Sequence, residues 1–150
     1  MTIQLTTFHV GGDLYGIDVM KVQEVTGKMS TVKVPLAPDF VCGLINLRGQ
    51  IATALGIAQL FGLPVTSEPD SSVVCKVDGN LVSLLVDSIG DVIEVSDSQL
   101  EPPPEIVPHG VRKFVSGVYK IDGALLSVID LEKLSRELSH TAELTEAKSA

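Results

Sequence analysis

A chain of 150 residues can form one compact domain without metal or disulfide, and with 45% hydrophobic and 20% charged residues it is too apolar for general disorder. The formal charge of −8 and a pI near 4.7 oppose phosphate backbones and anionic lipid surfaces, which need a basic footprint. Aromatic residues are only 4% and tryptophan is absent, which argues against a carbohydrate or base-stacking site and for an aliphatic, pleated core.

The opening MTIQLTTFHV has neither the basic region nor the long apolar run of a secretory leader. No apolar stretch reaches membrane-spanning length, so a cytoplasmic protein is expected. Gly11-Gly12-Asp13 then separates two β-rich segments. Lying between strands and not ahead of a helix, this glycine pair supplies hairpin geometry and no nucleotide fingerprint. In LINLRGQI, Arg48 and Gly49 fall at an expected hairpin end. Arg48 is either an exposed turn residue or a planar fork held by a carboxylate, because arginine is seldom buried unpaired.

IAQLFG (57–62) can make a short helical turn. Asp78-Gly79 separates VVCKV from LVSLLV, and Asp122-Gly123 separates VSGVYKI from ALLSVI, which predicts two further hairpins. Between them, EPPPEIVPHG carries three consecutive prolines that forbid a ladder, so a stiff surface connection is expected. LEKLSREL (131–138) places Leu131, Leu134 and Leu138 at helical spacing behind Asp130, a natural N-cap. Outside 57–62 and 131–138 the chain is expected to be β. Cys42 and Cys75 lie in apolar runs and are expected to be reduced, separate core residues.

An internal repeat organises these elements. FVCGLINLRGQIATALGIAQLF from Phe40 aligns without a gap to FVSGVYKIDGALLSVIDLEKLS from Phe114, 74 residues on. VGGDLYGIDVMKVQEV from Val10 aligns to VDGNLVSLLVDSIGDV from Val77, 67 residues on, with apolar positions in phase. Each half therefore holds a hairpin, a connection, a second hairpin and a short helical turn, enough strand for a small closed barrel.

Chemistry is sparse. There is no G-x-S-x-G elbow and no phosphate-cradling loop, and His9, His109 and His140 are too far apart for a local ligand pair. His109 is expected to be a solvated loop residue, and Asp87, Asp91 and Glu94 a solvated face. No catalytic residue, metal or cofactor is assigned.

LYGIDVMKVQEV (14–25), Val34-Pro35, FVCGLINLRGQI (40–51) and VSGVYKIDGALLSVIDLEKL (115–134) together resemble the chemotaxis coupling protein family, CheW. The resemblance runs from about residue 5 to 138, with its blocks in the family order. It implies an all-β fold of two small five-stranded, Src-homology-3-like barrels side by side about an apolar seam, with short helices after the barrel strands and at the C-terminus. It also implies one domain over 1–140, with halves at about 10–66 and 72–138, an N-terminal strand free to pair with either half, and a flexible tail at 141–150.

The function implied is that of a cytoplasmic, non-catalytic adaptor. Such a protein joins the tips of methyl-accepting chemoreceptors to the regulatory domain of a CheA-type histidine kinase, with no nucleic acid and no direct membrane contact. Glu24 and Arg48 match an acid and a base near the receptor groove and are expected to form a bidentate pair, with Val19 and Val22 close by. Thr31, Val32 and Gly43 match the kinase-facing barrel end. The stretch ATALGIAQL (52–60) departs from the family by lacking its Asp and Arg, which puts any contact carried by those charges in doubt. Two other readings stand beside this one: a coupling protein of a non-flagellar kinase pathway such as twitching motility, and a small ligand-binding barrel.

Overall fold

The structure is a computed structural model that describes residues 1–65 and 67–138. Its strands are β1 (Thr2–Val10), β2 (Asp13–Asp18), β3 (Val22–Gly27), β4 (Val41–Leu47), β5 (Gln50–Gly56), β6 (Ser71–Val77), β7 (Asn80–Val86), β8 (Ser88–Ser96), β9 (Val115–Ile121) and β10 (Ala124–Ile129). Helix α1 (Ile57–Phe61) follows β5, α2 (His109–Arg112) precedes β9, and 131–138 are helical. The expected tail at 141–150, and His140, lie outside the described residues.

Two five-stranded sheets result. One, the terminal sheet, has the order β8-β1-β2-β10-β9 and draws on both ends of the chain. The other, the medial sheet, has the order β3-β6-β7-β5-β4 and is contained within 22–86. The division between the sheets is therefore not the expected 10–66 and 72–138. Each repeat's third strand and second hairpin join the other repeat's first hairpin: β3 pairs with β6 and β5 with β7, while β8 pairs with β1 and β10 with β2. Both arrangements bury the same alternating face, so strand periodicity carries no sign of the exchange.

The repeat itself is repeated in the register. The parallel pairs Ala52↔Leu81 and Thr53↔Val82 in the medial sheet become Leu126↔Leu14 and Ser127↔Tyr15 in the terminal sheet, at the offsets of 74 and 67 read from the sequence. Bulges fall at matching places, between Val22 and Glu24 in β3 and opposite Thr6 and Phe8 in the β8 ladder. All four hairpin loops have two residues of positive φ: Gly11-Gly12, Arg48-Gly49, Asp78-Gly79 and Asp122-Gly123. That is the type I′ geometry whose twist suits flanking strands, and it explains the Gly in second place each time.

Each sheet curls until the segment leaving one edge strand reaches the opposite edge. Beyond β3, Val32 exchanges two backbone hydrogen bonds with Leu44 of β4, at 2.9 and 2.8 Å. Beyond β8, Glu101 does the same with Val118 of β9, at 2.9 and 2.8 Å. Gly43 and Gly117 sit beneath these crossings: a Cβ on Gly43 would meet the Val32 carbonyl oxygen at 2.5 Å, and one on Gly117 the Glu101 carbonyl oxygen at 2.8 Å.

A large core lies between the sheets and a smaller one inside each. The shared core takes Phe8, Tyr15 and Ile17 from the terminal sheet and Val73, Cys75 and Leu84 from the medial one. A run of rings threads it, Phe8 to Tyr15 at 6.0 Å, Tyr15 to Phe61 at 5.4 Å and Phe61 to Phe114 at 5.6 Å between centroids. Full burial of each such side chain contributes about 1.5–3 kcal/mol. Ile45, Leu47 and Ala52 fill the medial sheet, and Leu5, Tyr119 and Leu126 the terminal sheet.

The α-helices agree with expectation apart from one addition, and short 3-10 turns occur at Val19–Lys21 and Asp97–Gln99. Gly62 ends α1 in the left-handed region, φ 72°. Asp130 caps 131–138, accepting from the Glu132 amide at 2.9 Å and the Lys133 amide at 3.3 Å. The proline-rich connection is not wholly extended, because His109–Arg112 forms a helical turn behind Pro108. Arg112 holds it by donating to the Pro103 and Pro104 carbonyls, the second of which also accepts from the Val107 amide.

Candidate functional site

The expected site residues collect on the medial sheet and its approaches. Val19 opens a single 3-10 turn, Val19–Lys21, where the chain passes from the terminal to the medial sheet. Asp18 fixes the turn by accepting from the Met20 amide at 3.0 Å. Val19 and Val22 are half-buried, and Val22 packs against the core between the sheets. Between them Met20 is 87% exposed, an apolar side chain held out to solvent on a fixed turn. Sequence reading passed over Met20, although its place between two apolar positions in VMKV was available as a signal.

Glu24 and Arg48 are brought together. Glu24 lies on edge strand β3, just past its bulge, and Arg48 occupies the first left-handed position of the β4–β5 loop with φ 52°. Arg48 Nη2 donates to Glu24 Oε2 at 3.1 Å. The expected bidentate fork is not formed: one guanidinium nitrogen makes the contact. The arginine side chain is 84% exposed and the glutamate 21%, so solvent screens a pair that projects from the surface. Arg48 is thus the exposed turn residue of the two alternatives, and it holds the Glu24 carboxylate through a single contact and not a fork.

Thr31, Val32 and Gly43 also come together, at the crossing that closes the medial sheet. A Cβ on Gly43 would lie 3.1 Å from Thr31 Cβ as well as against Val32. Gly43 has φ 146°, a backbone that side chains disfavour, so the close approach and the conformation both call for glycine. Val32 is 71% exposed, and Leu36 is 91% exposed with φ 64°. With Val34 between them, the connection presents alternate apolar side chains to solvent beside the sheet edge. Leu36 was another residue missed, though its setting in Val-Pro-Leu-Ala-Pro marks a rigid, projecting segment. Lys28 anchors the start of this connection to Glu68 at 2.6 Å; that hydrogen bond, then the charge attraction, raises the lysine pKa and lowers the glutamate's.

Apart from the exposed Lys28–Glu68 pair, groups with shifted acidity, Cys75, Tyr15 and Cys42 among them, are structural ones. Burial pushes the Cys75 thiol up to about 12, and burial followed by the Asp13 charge pushes the Tyr15 phenol upward. The half-buried Cys42 thiol is also raised, chiefly by burial. Both cysteines are free. Among the described residues no three His, Cys, Asp or Glu side chains cluster as metal ligands, and no helix is long and apolar enough to cross a membrane.

The departure at 52–60 has a structural meaning. Ala52, Ala54 and Leu55 are buried, and Gly56 passes so close to Gln59 and Cys42 that a Cβ there would lie 3.0 Å from the Cys42 sulfur. Small residues let β5 and α1 turn tightly over the medial core.

The family model for the CheW-like domain matches residues 4–139. A chemotaxis protein CheW from Rhizobium meliloti is 31% identical over 87% of this chain and 86% of its own length. One from Treponema pallidum is 32% identical over 94% of this chain and 88% of its own. The crystal structure of the scaffolding protein TtCheW from Thermoanaerobacter tengcongensis superposes with a TM-score of 0.78 at 29% identity, over 87% of this chain and 90% of that one. With two Src-homology-3-like sheets, a repeat kept in register and a family match over nearly its whole length, the chain belongs to the CheW-like family of chemotaxis proteins.

Proposed function

We propose that this protein is a non-catalytic, cytoplasmic adaptor that couples the tips of methyl-accepting chemoreceptors to a CheA-type histidine kinase. The observation that carries the reading is the existence of two separate surface clusters on one sheet, neither resembling a reaction site. Glu24 with Arg48, beside Val19 and Val22, makes a charged and apolar face suited to a helical receptor tip. Thr31, Val32 and Gly43, with the exposed side chains that follow, make an apolar barrel end suited to a similarly folded kinase domain. The adaptor breaks and makes no bond; holding both partners at once raises the concentration at which each meets the other.

The test is co-sedimentation with a receptor cytoplasmic fragment and a kinase regulatory domain, each alone and then together. Arg48→Ala should weaken receptor capture and spare the kinase, and Val32→Asp should do the opposite. Equal loss of both partners in both variants, or of neither, would refute two separate surfaces.

A further inference from the structure

The two sheets close by the same crossing, but only one closure is filled. At the offset of 67 residues, Met29 in the medial sheet corresponds to Ser96 in the terminal sheet. Met29 is partly buried and packs against the medial core. Ser96 is too short to do so, and at the equivalent place lies an open cleft of about 690 Å³. Edge strand β8 lines it with Ile93–Ser96 and edge strand β9 with Tyr119–Ile121, and the β9–β10 turn adds Asp122. Neither strand has a further neighbour in the sheet, apart from the single bridge at Val118, so backbone donors and acceptors face the cleft.

The cleft is also charged in one sense. Residues 19–86 carry five basic and five acidic side chains, whereas 1–18 and 87–138 carry five basic and twelve acidic. Glu94, Glu101 and Asp122 stand at the cleft, where Lys120, 3.5 Å from Glu101, is the cationic lining residue. At its floor Tyr119 is only 3% exposed, and its hydroxyl has no hydrogen-bond partner among the described residues. Its ring forms the apolar floor of the cleft together with Ile93 and Ile121.

We propose that this cleft is a third docking surface, which takes an extended polypeptide segment bearing lysine or arginine as an added strand between β8 and β9. At about 3.3 Å per residue, the lined run Ile93–Ser96 faces about four residues of such a segment. Alternate side chains would rest on the apolar floor of Ile93, Tyr119 and Ile121, with the basic ones turned toward the carboxylates. The surface is separate from the two on the medial sheet, and it stands or falls independently of the adaptor reading.

The probe is a fluorescein-labelled, capped Lys-Val-Lys-Val-Lys peptide, followed by anisotropy and by amide chemical shifts of the full chain. Saturable binding is expected, with shifts concentrated at 93–96 and 119–122, and no binding of the Glu-Val-Glu-Val-Glu counterpart. Ser96→Met, which supplies the plug that Met29 supplies opposite, should lower affinity at least tenfold with an unchanged denaturant midpoint. Glu101→Lys at the exposed rim should do likewise, while Arg48→Ala leaves binding intact. The proposal is overturned if the two cleft variants bind as tightly as the parent, if the shifts fall elsewhere, or if spermine displaces the peptide and reproduces its shifts, since the site would then read charge alone.

Discussion

The terminal and medial sheets share a framework and differ in what is mounted on it. Gly43 and Gly117, the four I′ loops and the parallel registers coincide at the repeat offsets, because each answers a backbone demand that admits few residues. Exposed positions have diverged freely. Where the medial sheet has Glu24 and Arg48, the terminal sheet has Asp91 and Asp122, two like charges that cannot form an ion pair. Where α1 inserts Phe61 into the shared core, the later helical segment has Ser135, which donates to the Asp78 carboxylate instead. The geometry of closure is thus common to the two halves, and the exposed side chains mounted on it differ.

The sharpest break in the comparison should come at that last pair. Phe61→Ala removes a ring packed against both Tyr15 and Phe114 and should cost about 3–5 kcal/mol by denaturant unfolding, whereas Ser135→Ala should cost about 1 kcal/mol. Equal costs would mean that the two helices carry the core alike.

The glycines beneath the crossings come next. Gly43→Ala meets both a carbonyl and an unfavourable φ and should destabilise by about 2–4 kcal/mol; Gly117→Ala, with no such φ, should destabilise by about 1–2 kcal/mol. The measurement is again the denaturant midpoint, and a reversed order would show the terminal crossing to be the tighter.

Cys75 and its counterpart Phe8 give a pH test. The folded Cys75 thiol, pushed up from 9 to about 12, holds its proton while the unfolded one loses it. Its share of stability is present below about pH 9 and falls as pH climbs toward 12. Cys75→Val should flatten that alkaline decline, and an unchanged slope would assign the decline to other groups.

The smallest effect belongs to the ion pair. A double-mutant cycle on Glu24 and Arg48 should return a coupling of about 0–1 kcal/mol in stability, because the arginine is largely in water. Coupling in receptor affinity should exceed it, since a bound partner would exclude that water. Strict additivity in both would leave the two residues without a joint role.

Much of this was legible in the sequence for a physical reason. Asp78-Gly79 and Asp122-Gly123 announce their loops because the turn needs positive φ, and the repeat offsets reappear unchanged in the ladders. The strand exchange was not legible: Val22–Gly27 and Ser88–Ser96 alternate in the same way whichever hairpin receives them. The α2 turn escaped because four residues carry too little periodicity to register. At the site, the family resemblance grouped Glu24 with Arg48 and Val32 with Gly43, and the structure brings each group together. The number of hydrogen bonds and the degree of exposure depend on where β3 bulges and where the loop points, neither of which residue type encodes.

The exchanged strands also set a timetable for the nascent chain. The medial sheet is contained in 22–86 and can be completed while the ribosome is still synthesising the remainder. The β1–β2 hairpin emerges before any of it, yet its neighbours β8 and β10 end at Ser96 and Ile129. The first hairpin made is thus the last to find its partners, and through most of translation its two bare edges must be kept from pairing with another nascent chain.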